Sequence, residues 1–79
     1  MRRVVKGVKM IAYSRDGVII RQRIKILDEM GNLVKAPIIE VREKKGRERI
    51  EETKARAERR LERMLKDLEG KILRRGGVG

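Results

Sequence analysis

Arg21, Arg23 and Lys25 stand at every second position of one stretch, interleaved with Ile19, Ile20, Ile24 and Ile26. Alternate residues of an extended strand share a face, so these three cations line up side by side. Like charges set so close destabilise a sheet unless an anion offsets them. A polyphosphate backbone is such an anion, and the counterions it releases make binding steeply salt-dependent. Arg2, Lys6 and Arg42 are the expected neighbours on the same face, with Val4, Val8 and Met10 among them. Apolar residues between phosphate-binding cations read in two ways. They act as wedges between base steps, or they are buried in an assembly such as a homodimer, the reading that is preferred here. Arg56 and Arg63 belong to a second basic stripe, with Arg49, Arg59, Arg60 and Arg74.

Other chemistry is sparse. The chain has no cysteine and no histidine, which removes thiol nucleophiles, imidazole bases, disulfides and the usual zinc ligands. Asp28 with Glu43-Lys44-Lys45 has the acid, then acid-x-lysine, spacing of one nuclease class. That pattern arises readily by chance in a chain so rich in Lys and Glu, and the two acids are expected near opposite ends of the sheet. No glycine-rich phosphate loop precedes a helix. The expectation is therefore a protein that is not an enzyme, with no cofactor and no metal. Tyr13 is the only aromatic residue, so single-strand recognition by base stacking, which needs several such platforms, is disfavoured.

The chain has 79 residues, with 23 Lys and Arg against 12 Asp and Glu, a formal net charge of +11. That length holds one small core, and the charge points to an acidic partner. No apolar stretch approaches the roughly 20 residues that span a bilayer, and the basic N-terminus lacks the apolar segment of a signal peptide. A soluble, cytoplasmic protein is expected. Heavy use of Arg, Lys, Glu and Ile without cysteine or histidine is hyperthermophile-like.

The elements that must position these residues separate near position 45. Thirteen of the 16 Val and Ile residues lie in 1–44, and four of the six Leu residues lie in 50–73 without a proline. β-Branched residues favour strands and leucine favours helix. Ser14-Arg15-Asp16-Gly17 suits a tight connection, and Gly31-Asn32 suits a two-residue hairpin loop. The expected fold is α+β: a three-stranded antiparallel meander, about 3–13, 18–29 and 33–43, covered on one face by a helix over about 47–73. Residues 1–75 form the single βββα domain, with a flexible Gly-rich tail over 76–79. Pro37 lacks an N–H and marks the third strand as an edge, leaving the second strand central.

Pairing Tyr13 with Val18 sets Ile11 opposite Ile20, Gly7 opposite Ile24 and Val5 opposite Ile26, a nearly continuous apolar face extended by Leu33, Ile39 and Val41. Ile50, Ala57, Leu61, Met64, Leu65, Leu68 and Ile72 form a helical stripe to cover it, supported by Glu52–Arg56, Glu62–Lys66 and Asp67–Lys71 pairs. The function expected is a small basic, non-catalytic nucleic-acid-binding protein. It would contact phosphates of duplex DNA or folded RNA and be chromatin-like or ribonucleoprotein-associated. The alternative is an oligomerisation module whose charge serves solubility and stability.

Overall fold

The computed structural model describes the backbone of residues 2–78 and the side chains of residues 2–72. It is an α+β structure, an antiparallel sheet followed by one C-terminal helix: β1 Arg3–Ser14, β2 Gly17–Leu27, β3 Leu33–Lys35, β4 Ile38–Lys44 and α1 Ile50–Val78. β2 is central, with β1 on one side and both β3 and β4 on the other. The expected third strand is thus two. It breaks at Ala36-Pro37, where proline has no N–H to donate, yet the row continues because the Ile24 N–H donates to the Pro37 carbonyl at 2.9 Å. β3 and β4 keep one register across the gap, with Ile26 opposite Lys35 and Arg23 opposite Ile38.

β2 shows why the sheet has two unlike faces. Val18, Ile20, Gln22, Ile24 and Ile26 are buried under the helix, while Arg21, Arg23 and Lys25 are exposed on the other side. Val41 from β4 and Ala57, Leu61, Leu65 and Ile72 from α1 complete an aliphatic core, with Val4, Ile11, Ile39, Ile50 and Leu68 packed at its edge. The helical stripe is as expected in outline, but Met64 is partly exposed and Thr53 is fully buried. Thr53 solves its polarity locally, its hydroxyl donating to the Arg49 carbonyl at 3.4 Å.

The helix begins at Ile50 rather than near position 47. Glu48 accepts hydrogen bonds from the Gly46 N–H and from Arg56, which holds this connection outside the helix. Glu51 and Glu52 occupy the first turn, where the helix dipole favours acids. At its other end the helix takes in positions 76–78 of the segment expected as a tail. Gly79 lies outside the described residues.

The turns differ in one respect from expectation. Ser14 pairs with Gly17 across the two-residue Arg15-Asp16 loop, as read. The second loop closes at Asp28–Asn32 instead of holding Gly31-Asn32 at its tip. The Asp28 carboxylate accepts the N–H groups of Met30 and Asn32 at 2.9 and 2.8 Å, and Gly31 supplies the positive φ of 84°.

The largest correction is a β-bulge in β1. The register runs as expected from Tyr13–Val18 to Lys9–Gln22, then shifts by one, so that Lys6 faces Ile24, Val5 faces Lys25 and Val4 faces Ile26. Gly7 and Val8 together oppose Arg23. Gln22, buried in the middle of the apolar face, is the reason the bulge is tolerated. Its amide donates to the Gly7, Val8 and Arg23 carbonyls at 2.9, 3.4 and 3.1 Å, supplying a partner to backbone groups that the bulge takes out of the ladder. A second shift, between Ile26 and Leu27, sets Leu33 opposite Leu27 and off the core face where it was expected.

Candidate nucleic-acid interface

The face of the sheet away from the helix is built by alternation. Arg21, Arg23 and Lys25 come from β2, and β4 adds Arg42, which lies opposite Ile19 on the same side. Val8, Met10, Arg21, Arg23, Lys25, Ala36 and Ile38 line one shallow hollow of about 760 Å³ on this face. Arg21, Arg23, Lys25 and Arg42 are therefore brought together as expected.

Arg2, Lys6 and Val4 are not. Below the bulge every β1 side chain changes face. Val4 packs against the core, Lys6 lies on the helix side beside Glu62 and Glu69, and Arg2 lines a cleft with Ile26, Leu68 and Ile72. In their place the register puts Arg3, opposite Leu27, and Val5, opposite Lys25, on the open face. The signals for this exchange were Gly7 and Gln22, a glycine and a buried amide in facing strands.

The electrostatics of the face are uneven. Glu40 accepts from Arg21 at 2.8 Å and from Arg42 at 2.9 Å, and these two arginines hold its carboxyl below the usual carboxylate range. Arg23 donates to the Ala36 carbonyl at 2.6 Å. Neither Arg23 nor Lys25 has a carboxylate partner among the described residues. Positive charge is thus concentrated towards the Lys25 end of β2, next to the bulge.

Arg56 and Arg63 do not join this surface, because the helix lies on the opposite side of the sheet. Arg56 donates to Glu43 at 2.7 Å, to Glu48 at 3.0 Å and to the Lys44 carbonyl at 2.7 Å, and Arg60 donates to the second oxygen of Glu43 at 2.8 Å. This cluster fastens α1 to β4, so Arg56 pairs across the layers instead of with Glu52. Arg63 is exposed on the helix.

Glu43 is only 16% exposed. The hydrogen bonds from Arg56, then those from Arg60, lower its pKa. A carboxylate lowered in the folded state contributes stability that is present above its unfolded pKa, about 4.3, and lost as pH falls through the folded value. Glu43→Gln is expected to cost about 1–2 kcal/mol at pH 7 and to flatten the fall in stability as the pH drops below the ordinary carboxylate range. Urea denaturation across that range checks both. An unchanged acid limb would show that Glu43 is not titrating against the helix.

Asp28 and Glu43 lie at opposite ends of β2, one in the β2–β3 loop and the other paired with Val18. Each carboxylate is already engaged, so the nuclease-like spacing assembles no shared site. Among the described residues no group of three or more acidic, histidine or cysteine side chains could hold a metal ion, and no helix is long and apolar enough to cross a membrane. Comparison of the chain with protein-family models, curated proteins and solved structures gives no match.

Proposed function

We propose that this chain is a small basic, non-catalytic nucleic-acid-binding protein that lays the open face of its sheet along the phosphates of duplex DNA or folded RNA, in a chromatin-like or ribonucleoprotein-associated role. The observation that supports this most directly is the row of Arg21, Arg23 and Lys25, adjacent and exposed on the central strand. Such a row sets three cations along one line, of which Arg23 and Lys25 have no carboxylate partner among the described residues, and a phosphate backbone supplies the missing anions. The formal net charge of +11 acts in the same direction, steering any polyanion towards the molecule.

The test is the salt dependence of binding to duplex DNA and hairpin RNA, measured by fluorescence anisotropy. Replacing Arg21, Arg23 and Lys25 by alanine is expected to reduce the slope of log K against log salt by about three units. Affinity should fall on the order of 100-fold near 150 mM salt, alike for all sequences. A slope unchanged in the triple variant would overturn the assignment to this face.

A second reading rests on a separate observation. Val5, Val8, Met10 and Ile38 are exposed apolar residues on the same face, and exposed apolar strips often mark protein contacts. A homodimer through this strip would hold its two rows of cations against each other, which disfavours it at low salt. Light scattering separates the readings. A salt-insensitive oligomer that ignores nucleic acid would support the assembly module over the nucleic-acid reading.

A further inference from the structure

Phosphate tracking uses only the cations of the open face, yet that face also carries strongly exposed apolar residues. Val8 is 73% exposed, Met10 65% and Ile38 54%. Val8 and Met10 are two residues apart on β1, hence about 6.6 Å along the strand. Met10 sits in regular register opposite Arg21, and Val8 sits in the bulge, where the Gln22 amide pins the Gly7 and Val8 carbonyls. The ridge is therefore held, not loose. One strand spacing away, about 4.8 Å, runs the row Arg21, Arg23, Lys25, which lines the same hollow.

Building on the nucleic-acid reading above, we propose that the ligand is duplex DNA, bound from its minor groove, with Val8 and Met10 wedged at base steps so that the duplex bends. A phosphate strand lying on the β2 cations brings the neighbouring β1 ridge over the base pairs of a groove about 6 Å wide. Bound there, uncharged side chains gain nothing from hydrogen bonding but do gain by burial between unstacked bases. Methionine is unbranched and polarisable and adapts to such a gap. Double-stranded RNA fits this surface poorly. Its wide, shallow minor groove presents 2′-hydroxyls, and the ridge offers them no partner. Its major groove is too narrow to admit side chains.

The wedge is tested with duplexes of about 25 base pairs that carry a donor and an acceptor dye at their ends. One has a central TA step, which kinks easily, and one a central A-tract, which is stiff. The wild-type protein is expected to bring the ends of the TA duplex together, by a bend in the range of about 20–90°, and to bind the A-tract duplex more weakly. Val8→Ala with Met10→Ala should still bind, with an unchanged salt slope, but should leave energy transfer at the value of free DNA. Both positions lie on the surface, so the fold is not at stake. Binding without any change in end-to-end distance overturns the wedge and leaves phosphate tracking standing. Equal affinity for duplex RNA also overturns the choice of DNA. A wild-type protein that binds no duplex overturns the wedge and the parent reading together.

Discussion

Replacing Gly17 by alanine is expected to leave most of the protein unfolded at 25 °C. Gly17 is buried at the first position of β2 and lies opposite Lys44. A Cβ there would run into the Glu43 carbonyl oxygen, with the backbone of Lys44 close behind. These are main-chain atoms of the neighbouring strand, so no rotamer relieves the collision. The strands would have to part where the Lys45 N–H donates to the Asp16 carbonyl at 2.7 Å and where Glu43 holds Arg56 and Arg60. Overpacking of this kind costs about 1–3 kcal/mol, and the loss of adjoining ladder bonds adds about 1 kcal/mol each. A single aliphatic core of this size supplies roughly 3–5 kcal/mol in all. Gly31 is the control. Its φ is 84°, and a Cβ there meets nothing within 4 Å. Gly31→Ala should cost only the left-handed backbone penalty of about 1–2 kcal/mol. Far-UV circular dichroism and urea denaturation of the two variants distinguish a close approach of strands from a local turn preference. Equal stabilities would refute the close approach.

How far this surface was legible in the sequence depends on which strand is considered. β2 was legible, because Ile20, Ile24 and Ile26 alternate with Arg21, Arg23 and Lys25 and so fix which face is the core, even though Ile19 falls on the open face and Gln22 inside. β1 was legible only from Lys9 onward. Val4 and Val5 are adjacent valines, so the hydrophobic pattern is satisfied whichever of them faces the core, and an inserted residue leaves no trace in the count. The information lay in two residues that did not fit: Gly7, where a Cβ would press on the Arg23 side chain at 3.0 Å, and Gln22, a buried amide that needs carbonyls to serve. Arg2 and Lys6 were misplaced for that reason alone. The helix arginines failed differently. Periodicity assigns Arg56 to a flank of α1, but nothing local shows that β4 and the approach to the helix will bring Glu43 and Glu48 within reach of it. Carboxylates that are far apart in sequence and consume a cation become visible only in three dimensions. Glu40 differs, because alternation with Arg42 already places it on the basic face; there it neutralises Arg21 and Arg42 and leaves Arg23 and Lys25 as the more available charges.

Ile20→Ala should be as damaging as Gly17→Ala, and for a reason that ties the core to the proposed interface. Ile20 has no exposed surface and lies between Ile11 on β1 and Val41 on β4. Removing three carbons there leaves a cavity that a rigid three-strand contact closes poorly, at a cost of about 3–4 kcal/mol. Its neighbour Ile19 points to the open face and is only half-buried. Ile19→Ala is expected to cost under about 1.5 kcal/mol. A two- to threefold difference in stability between adjacent isoleucines is the signature of a sheet with one dry face. Comparable losses in urea denaturation would mean that the open face is also covered in solution, as in a homodimer through Val8, Met10 and Ile38. The comparison therefore bears on function as well as on packing. One strand holds the core with its even-numbered residues and presents cations with its odd-numbered ones, so a core deletion must weaken nucleic-acid binding by unfolding the platform. That loss should be recovered at temperatures and urea concentrations where the variant is folded. The loss in the Arg21, Arg23 and Lys25 triple variant should persist there, because the platform is intact and the phosphate contacts are gone.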